Sequence, residues 1–133
     1  MRGMSLLCPC HSGKLYSYCC EPFHAGKQLP QTALELMRSR YAAYAKMQVA
    51  YIIQTTHRQN ELFKKAKKQI EQGIIEFASQ TEFCGLEILE CIDGSDEAWV
   101  SFIARLKQHG QDASFQEKSH FLKVKGKWLY HRG

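Results

Sequence analysis

The sequence predicts an α+β chain in which helices pack on one face of a curved antiparallel sheet, behind a small N-terminal zinc knuckle. Three observations carry this. Four of the six cysteines fall within Cys8–Cys20. Apolar residues then recur at helical spacing between Thr32 and Ala78. From Cys84 onward the apolar period changes to two. Helices followed by consecutive strands imply segregated layers rather than alternating βαβ units.

The first element, residues 1–27, has no run long enough to bury a core. It carries Pro9, Gly13, Pro22 and Gly26, so something other than packing must hold it. A metal can, because structural zinc contributes folding energy directly. Cys8 and Cys10 can face one side of a short extended turn. Ser12-Gly13-Lys14 can reverse the chain, since glycine tolerates a positive φ. Cys19 and Cys20 then return to close a tetrahedron around Zn2+. Four thiolates fill the coordination sphere, so the site reads as structural. Cys-x-Cys and Cys-Cys match the Cys-x-x-Cys redox spacing poorly. Substitution of one cysteine by His11 or His24 stays open as an alternative ligand set, because adjacent cysteines share a metal only with backbone adjustment.

The second region, residues 28–133, begins with a T-x-x-E helix start at Thr32 and Glu35. The spacing predicts a helix from there to about Thr55, with Leu34, Met37, Tyr41 and Tyr44 on its buried face. A second helix is predicted over 61–78, weakened by Gly73. Strands are predicted over 84–92, 98–106, 113–124 and 127–131, with turns at Asp93-Gly94 and Lys125-Gly126. Strands of this length must bend, and a bent sheet makes a concave pocket against helices. Cys84 and Cys91 read as buried small hydrophobes.

Composition bounds the function. The net charge is +5, and much of it lies in the Lys64–Lys68 run, which reads as a solvated helix face; nucleic-acid binding is therefore the weakest of the functional readings. No apolar run approaches a membrane span. The apolar stretch at the N-terminus is too short for a secretory signal, and the expectation is a cytoplasmic protein with reduced cysteines.

Candidate pocket residues follow from the strand period. Ala113, Phe115, Glu117, Ser119 and Phe121 share one strand face. If that face is the inner one, a buried Glu117 needs a partner. The first helix offers Arg38 or Arg40 together with Tyr41 and Tyr44, and His57 sits near its end. These residues read either as a ligand pocket or as a structural ion pair tying helix to sheet. His120 lies on the opposite strand face, and Trp99, Trp128 and Tyr130 read as packing aromatics.

The string Cys8-Pro9-Cys10-His11-Ser12-Gly13-Lys14, followed by Tyr16 and closed by Cys19-Cys20, resembles the SEC-C motif of the SecA tail, with His11 where glycine is usual. Leu36–Tyr44, Thr56-His57, Glu117-x-Ser119-x-Phe121-Leu122 and Trp128-x-Tyr130 resemble the YchJ family. That resemblance implies an NTF2-like cone joined to a SEC-C zinc motif, the second such motif of some members being missing here. It implies a non-enzymatic interaction module, with a translocation- or ribosome-associated protein as partner. A small-molecule cone around Glu117 and Arg38/Arg40, enzymatic or not, is the rival reading. NTF2-like domains also often dimerise through the sheet.

Overall fold

One helix organises the molecule. In this computed structural model, which describes residues 6–133, helix α2 (Ala33–Ala45) follows a short α1 (Glu21–His24) and is surrounded on three sides. Leu36, Met37 and Tyr41 face the sheet. Ala43 meets the helical side, α3 (Val49–Gln54) and α4 (Lys67–Ser79), packing with Ile52, Ile70 and Ile74. Ala42 meets the cysteine knuckle. Ala42 and Ala43 are both fully buried, and their small side chains let two layers approach the same helix turn. Thr32 caps this helix by accepting the Glu35 N–H at 3.1 Å, while Glu35 reaches back to the Gln31 N–H at 2.7 Å.

Strands β1 (Thr81–Ile92), β2 (Glu97–Gln108), β4 (Phe115–Val124) and β5 (Lys127–Arg132) pair antiparallel in that order, and the two-residue β3 (Gln111–Asp112) pairs with β2. On β2, Ala98, Val100, Phe102, Ala104 and Leu106 are all buried, as strict alternation requires. The sheet bends where the register slips: between Phe83 and Gly85 and between Ile88 and Glu90 on β1, and beside His120 on β4.

Several sequence expectations change in detail. The long first helix is two helices. Lys46 ends α2, and Met47 takes a left-handed φ of 58°. The Gln48 N–H bonds the Ala43 carbonyl and the Met47 N–H the Tyr44 carbonyl, the paired hydrogen bonds of a Schellman stop. The second helix is also divided, into a 3₁₀ turn at Glu61–Lys64 and α4, because Lys65 and Ala66 are extended. Cys84 and Cys91 are exposed rather than buried. They lie on the edge strand, and its bulges put Phe83, Leu86 and Ile88 toward the core instead. No helix among the described residues is long and apolar enough to cross a membrane.

Candidate metal centre and cone pocket

The sulfurs of Cys8, Cys10, Cys19 and Cys20 all lie within 4.8 Å of one another. Local geometry brings them there. Cys8 N–H bonds the Lys14 carbonyl, closing the loop, while His11 (φ 63°) and Gly13 (φ 86°) both turn left-handed between them. A 3₁₀ turn at Tyr16–Tyr18 then delivers Cys19, and Cys20 starts α1. The Sγ–Sγ separations of 3.6 Å for Cys10–Cys19 and 3.9 Å for Cys19–Cys20 bracket the edge of a zinc–thiolate tetrahedron, about 3.8 Å for bonds of about 2.3 Å. The four residues therefore fit zinc, which would supply cross-linking rather than chemistry because four thiolates leave no open position.

The thiols bias one another. Hydrogen bonds from Cys20 and Cys8 hold the Cys10 thiol far below its ordinary range. The same bond to Cys10 pushes Cys8 up to about 12 and, with burial, pushes Cys20 higher still. Several thiolates at this spacing require a dication to offset their charge.

Both histidines weighed as ligands are engaged elsewhere. His24 Nε2–H donates to the Ser39 carbonyl at 2.8 Å, and its Nδ1 accepts the Tyr16 hydroxyl at 2.7 Å. Burial pushes its pKa below the ordinary value. His11 Nε2–H donates to the Phe83 carbonyl at 3.0 Å.

Arg38 belongs to this end of the molecule. Its Nη1 donates to the Cys10 carbonyl at 3.1 Å, so it does not join the pocket set proposed from sequence. His57 is also outside the pocket, its backbone N–H bonding the Tyr130 carbonyl at 2.8 Å beyond the end of α3.

The remaining candidates do converge. Arg40, Tyr41, Tyr44, Glu117 and Ser119 line a cavity of about 510 Å³ between the helices and the concave face of the sheet. Most of the wall is apolar, from Met37, Ile70, Ile74, Phe83, Phe102, Phe115 and Phe121. Glu117 is not ion-paired to an arginine, as the sequence had suggested. Its Oε2 accepts Ser119 Oγ–H at 2.5 Å and the Tyr130 hydroxyl at 3.1 Å. Gly133 lies against this carboxyl group, a Cβ there falling 2.5 Å from Glu117 Cδ.

Arg40 is held from behind. Its Nη1 donates to the Ile52 carbonyl at 3.0 Å and to the hydroxyls of Thr55 at 2.7 Å and Thr56 at 3.0 Å. Its guanidinium carbon sits 4.7 Å from the Tyr130 ring centroid. Burial lowers its pKa from an ordinary value too high to lose the charge. Tyr130 is the pocket residue that sequence reading assigned to packing alone. It joins Arg40 through its ring and Glu117 through its hydroxyl; burial and the carboxylate raise its pKa, and the guanidinium opposes. Its position two residues after Trp128 on an alternating strand was the available signal.

Comparison with known proteins decides the family. Residues 32–133 match the family model described as YchJ, middle NTF2-like domain, and residues 4–22 match the SEC-C motif. The chain belongs to the YchJ family. Two UPF0225 proteins are similar along most of its length. That of Actinobacillus succinogenes is 37% identical, covering 96% of this chain and 80% of its own. That of Geobacter sulfurreducens is 38% identical, covering 98% and 80%. The solution structure of a SEC-C motif containing protein from Rhodopseudomonas palustris superposes with a TM-score of 0.79 at 31% identity, covering 95% of each chain. The family's SEC-C part thus coincides with the four-cysteine cluster, and its NTF2-like part with the cone; residues 1–5 of the first module lie outside the described residues.

Proposed function

We propose that the four cysteines hold a structural zinc, and that the NTF2-like cone it braces binds a small organic molecule with an apolar body and a polar head. The carrying observation is the open cavity of about 510 Å³ that reaches Glu117 and Arg40. A structural ion pair would have closed that space. Instead Glu117 is held by hydroxyls and Arg40 by Ile52, Thr55 and Thr56, so both keep charge available to a ligand. Large apolar walls with a few convergent polar groups are the usual make-up of a small-molecule site. The test is a titration of zinc-loaded protein with 1-anilinonaphthalene-8-sulfonate, an aromatic anion, followed by fluorescence. One saturable site is expected, lost in Gly73→Phe, which fills open space at the cavity mouth. Equal binding by that variant, with its fold intact by circular dichroism, would defeat the reading.

A second reading concerns the knuckle's outer surface. Leu7 and Leu15 are bridged and 49% and 40% exposed, and the adjoining Tyr18 is 79% exposed. Such clustered apolar exposure on a rigid turn suits a protein partner, one associated with translocation or the ribosome being the expectation from the motif. Partner capture that is lost in Tyr18→Ala while zinc is retained would support it; capture unchanged in that variant would count against it.

A further inference from the structure

Three of the six histidines, none in the cysteine motif, meet on the far side of the sheet from the cavity. His57 follows α3, His120 lies on β4 and His131 on β5. The register slip between His120 and Phe121 sets His131 beside His120, and their Nδ1 atoms are 3.0 Å apart. His120 Nε2 lies 2.8 Å from Glu97 Oε1. A carboxylate accepts, so Nε2 carries the proton and Nδ1 is left as a lone pair aimed at His131. Trp99 stacks on the His120 ring at 4.0 Å and fixes its rotamer. The His57 ring is 5.2 Å from that of His131. Its Nδ1 accepts the Gln59 N–H, so its Nε2 carries the proton and His57 flanks the pair rather than joining it. The backbone beneath is rigid: His57 N–H bonds the Tyr130 carbonyl and Asn60 Nδ2 bonds the His131 carbonyl.

We propose that His120 and His131 form a second metal site, binding a borderline divalent cation through their Nδ1 atoms, with solvent completing the coordination sphere. In the observed arrangement His131 Nδ1–H donates to that lone pair; when the His131 proton moves to Nε2, both lone pairs are free, and a cation seated to one side of the line between them replaces the hydrogen bond with two bonds. Two nitrogens each about 2.05 Å from one metal stand about 2.9–3.4 Å apart, depending on geometry, and the observed 3.0 Å falls within this range. Glu97 supplies the carboxylate that orients a metal-binding imidazole and raises its basicity. The donors are imidazoles, which suit Zn2+ or Ni2+ better than Mg2+ or Ca2+, whose ligands are oxygens. The site is independent of the cavity ligand and of the four-thiolate zinc.

Nickel tests it. The protein, with one equivalent of zinc already in the cysteine site, is titrated with Ni2+ by calorimetry, and the histidine ring signals are followed by NMR. One added equivalent is expected, with paramagnetic broadening of His120 and His131 first and His57 next, while the rings of His11 and His24 are spared. His131→Ala abolishes that equivalent. Glu97→Gln, which keeps the shape of the site, weakens it by about 10–100-fold. The proposal is overturned if no added equivalent binds, or if binding persists unchanged in His131→Ala or Glu97→Gln.

Discussion

His11 donates its Nε2–H to the carbonyl oxygen of Phe83 across 3.0 Å. One residue of the metal loop thereby fastens the knuckle to strand β1. The same ring stands edge-on to Tyr41 at 5.8 Å, and Tyr41 in turn bonds the Gly85 carbonyl. His11 occupies the position where a SEC-C motif ordinarily has glycine, and it keeps the left-handed φ of 63° that glycine would adopt without strain. The substitution exchanges backbone ease for a tether between modules.

His11→Gly should therefore leave zinc binding and global stability nearly unchanged. Relief of left-handed strain, about 1–2 kcal/mol, offsets a lost exposed hydrogen bond of about 0.5–1.5 kcal/mol. The knuckle itself should loosen against β1. Heteronuclear relaxation of residues 8–20 reads this directly; order parameters equal to wild type would show that Arg38 and Ala42 suffice to dock it.

Chelation of the metal should melt the knuckle and spare the cone. The knuckle's buried cluster is Cys8, Cys10 and Cys20 against Ala42, too little apolar surface to fold unaided. The cone has its own two clusters around α2. With chelator, amide protection should vanish over residues 7–20 and persist on β2 and β4. Loss of protection throughout the sheet would mean instead that the two modules fold as one unit.

Sequence reading reached the fold class because the signals were local: a cysteine spacing, a capping box, and a change of apolar period from Cys84 onward. It reached Cys8, Cys10, Cys19 and Cys20 for the same reason. It failed where long-range register decides. Whether Arg38 or Arg40 enters the cavity depends on which side of α2 the knuckle docks, and two residues along a helix point about 200° apart. The partners of Glu117 depend on how β5 pairs with β4, which put Tyr130 within reach. The exposure of Cys84 and Cys91 depends on bulges that no periodic pattern announces. The meeting of His57, His120 and His131 joins three elements across a register slip, beyond any motif.

Arg40→Met should cost about 2–3 kcal/mol. It removes donors from two buried threonine hydroxyls and a stacked cation from Tyr130, while the carbonyls of Tyr51 and Ile52 still accept from Thr55 and Thr56. Denaturant unfolding measures the loss. The sulfonate probe should bind more weakly to this variant than stability alone explains, and undiminished affinity in the folded variant would remove Arg40 from the ligand contacts.

His24 should resist protonation as the pH falls through the ordinary histidine value. Its folded pKa is depressed, first by burial, below the ordinary 6.5. The unfolded chain therefore takes up a proton that the folded protein refuses, so His24's contribution is complete above about pH 6.5 and declines as pH falls below it. NMR titration of the His24 ring gives the answer; a midpoint at or above 6.5 would contradict the buried Tyr16–His24–Ser39 relay.

Gly73 lies inside α4 at the cavity mouth, with nothing within 4 Å of where a Cβ would stand and no positive φ to preserve. Its cost is conformational freedom in the unfolded chain and weak helix propensity. Gly73→Ala should therefore stabilise the protein by about 0.5–1 kcal/mol, raising Tm by about 2–5 °C. The same methyl borders the passage to Arg40 and Glu117. If Gly73→Ala gains the stability and keeps the probe's affinity, the glycine is neutral for entry. A gain in Tm joined to slower probe association would show that an unhindered mouth, rather than helix stability, is what a glycine serves at this position.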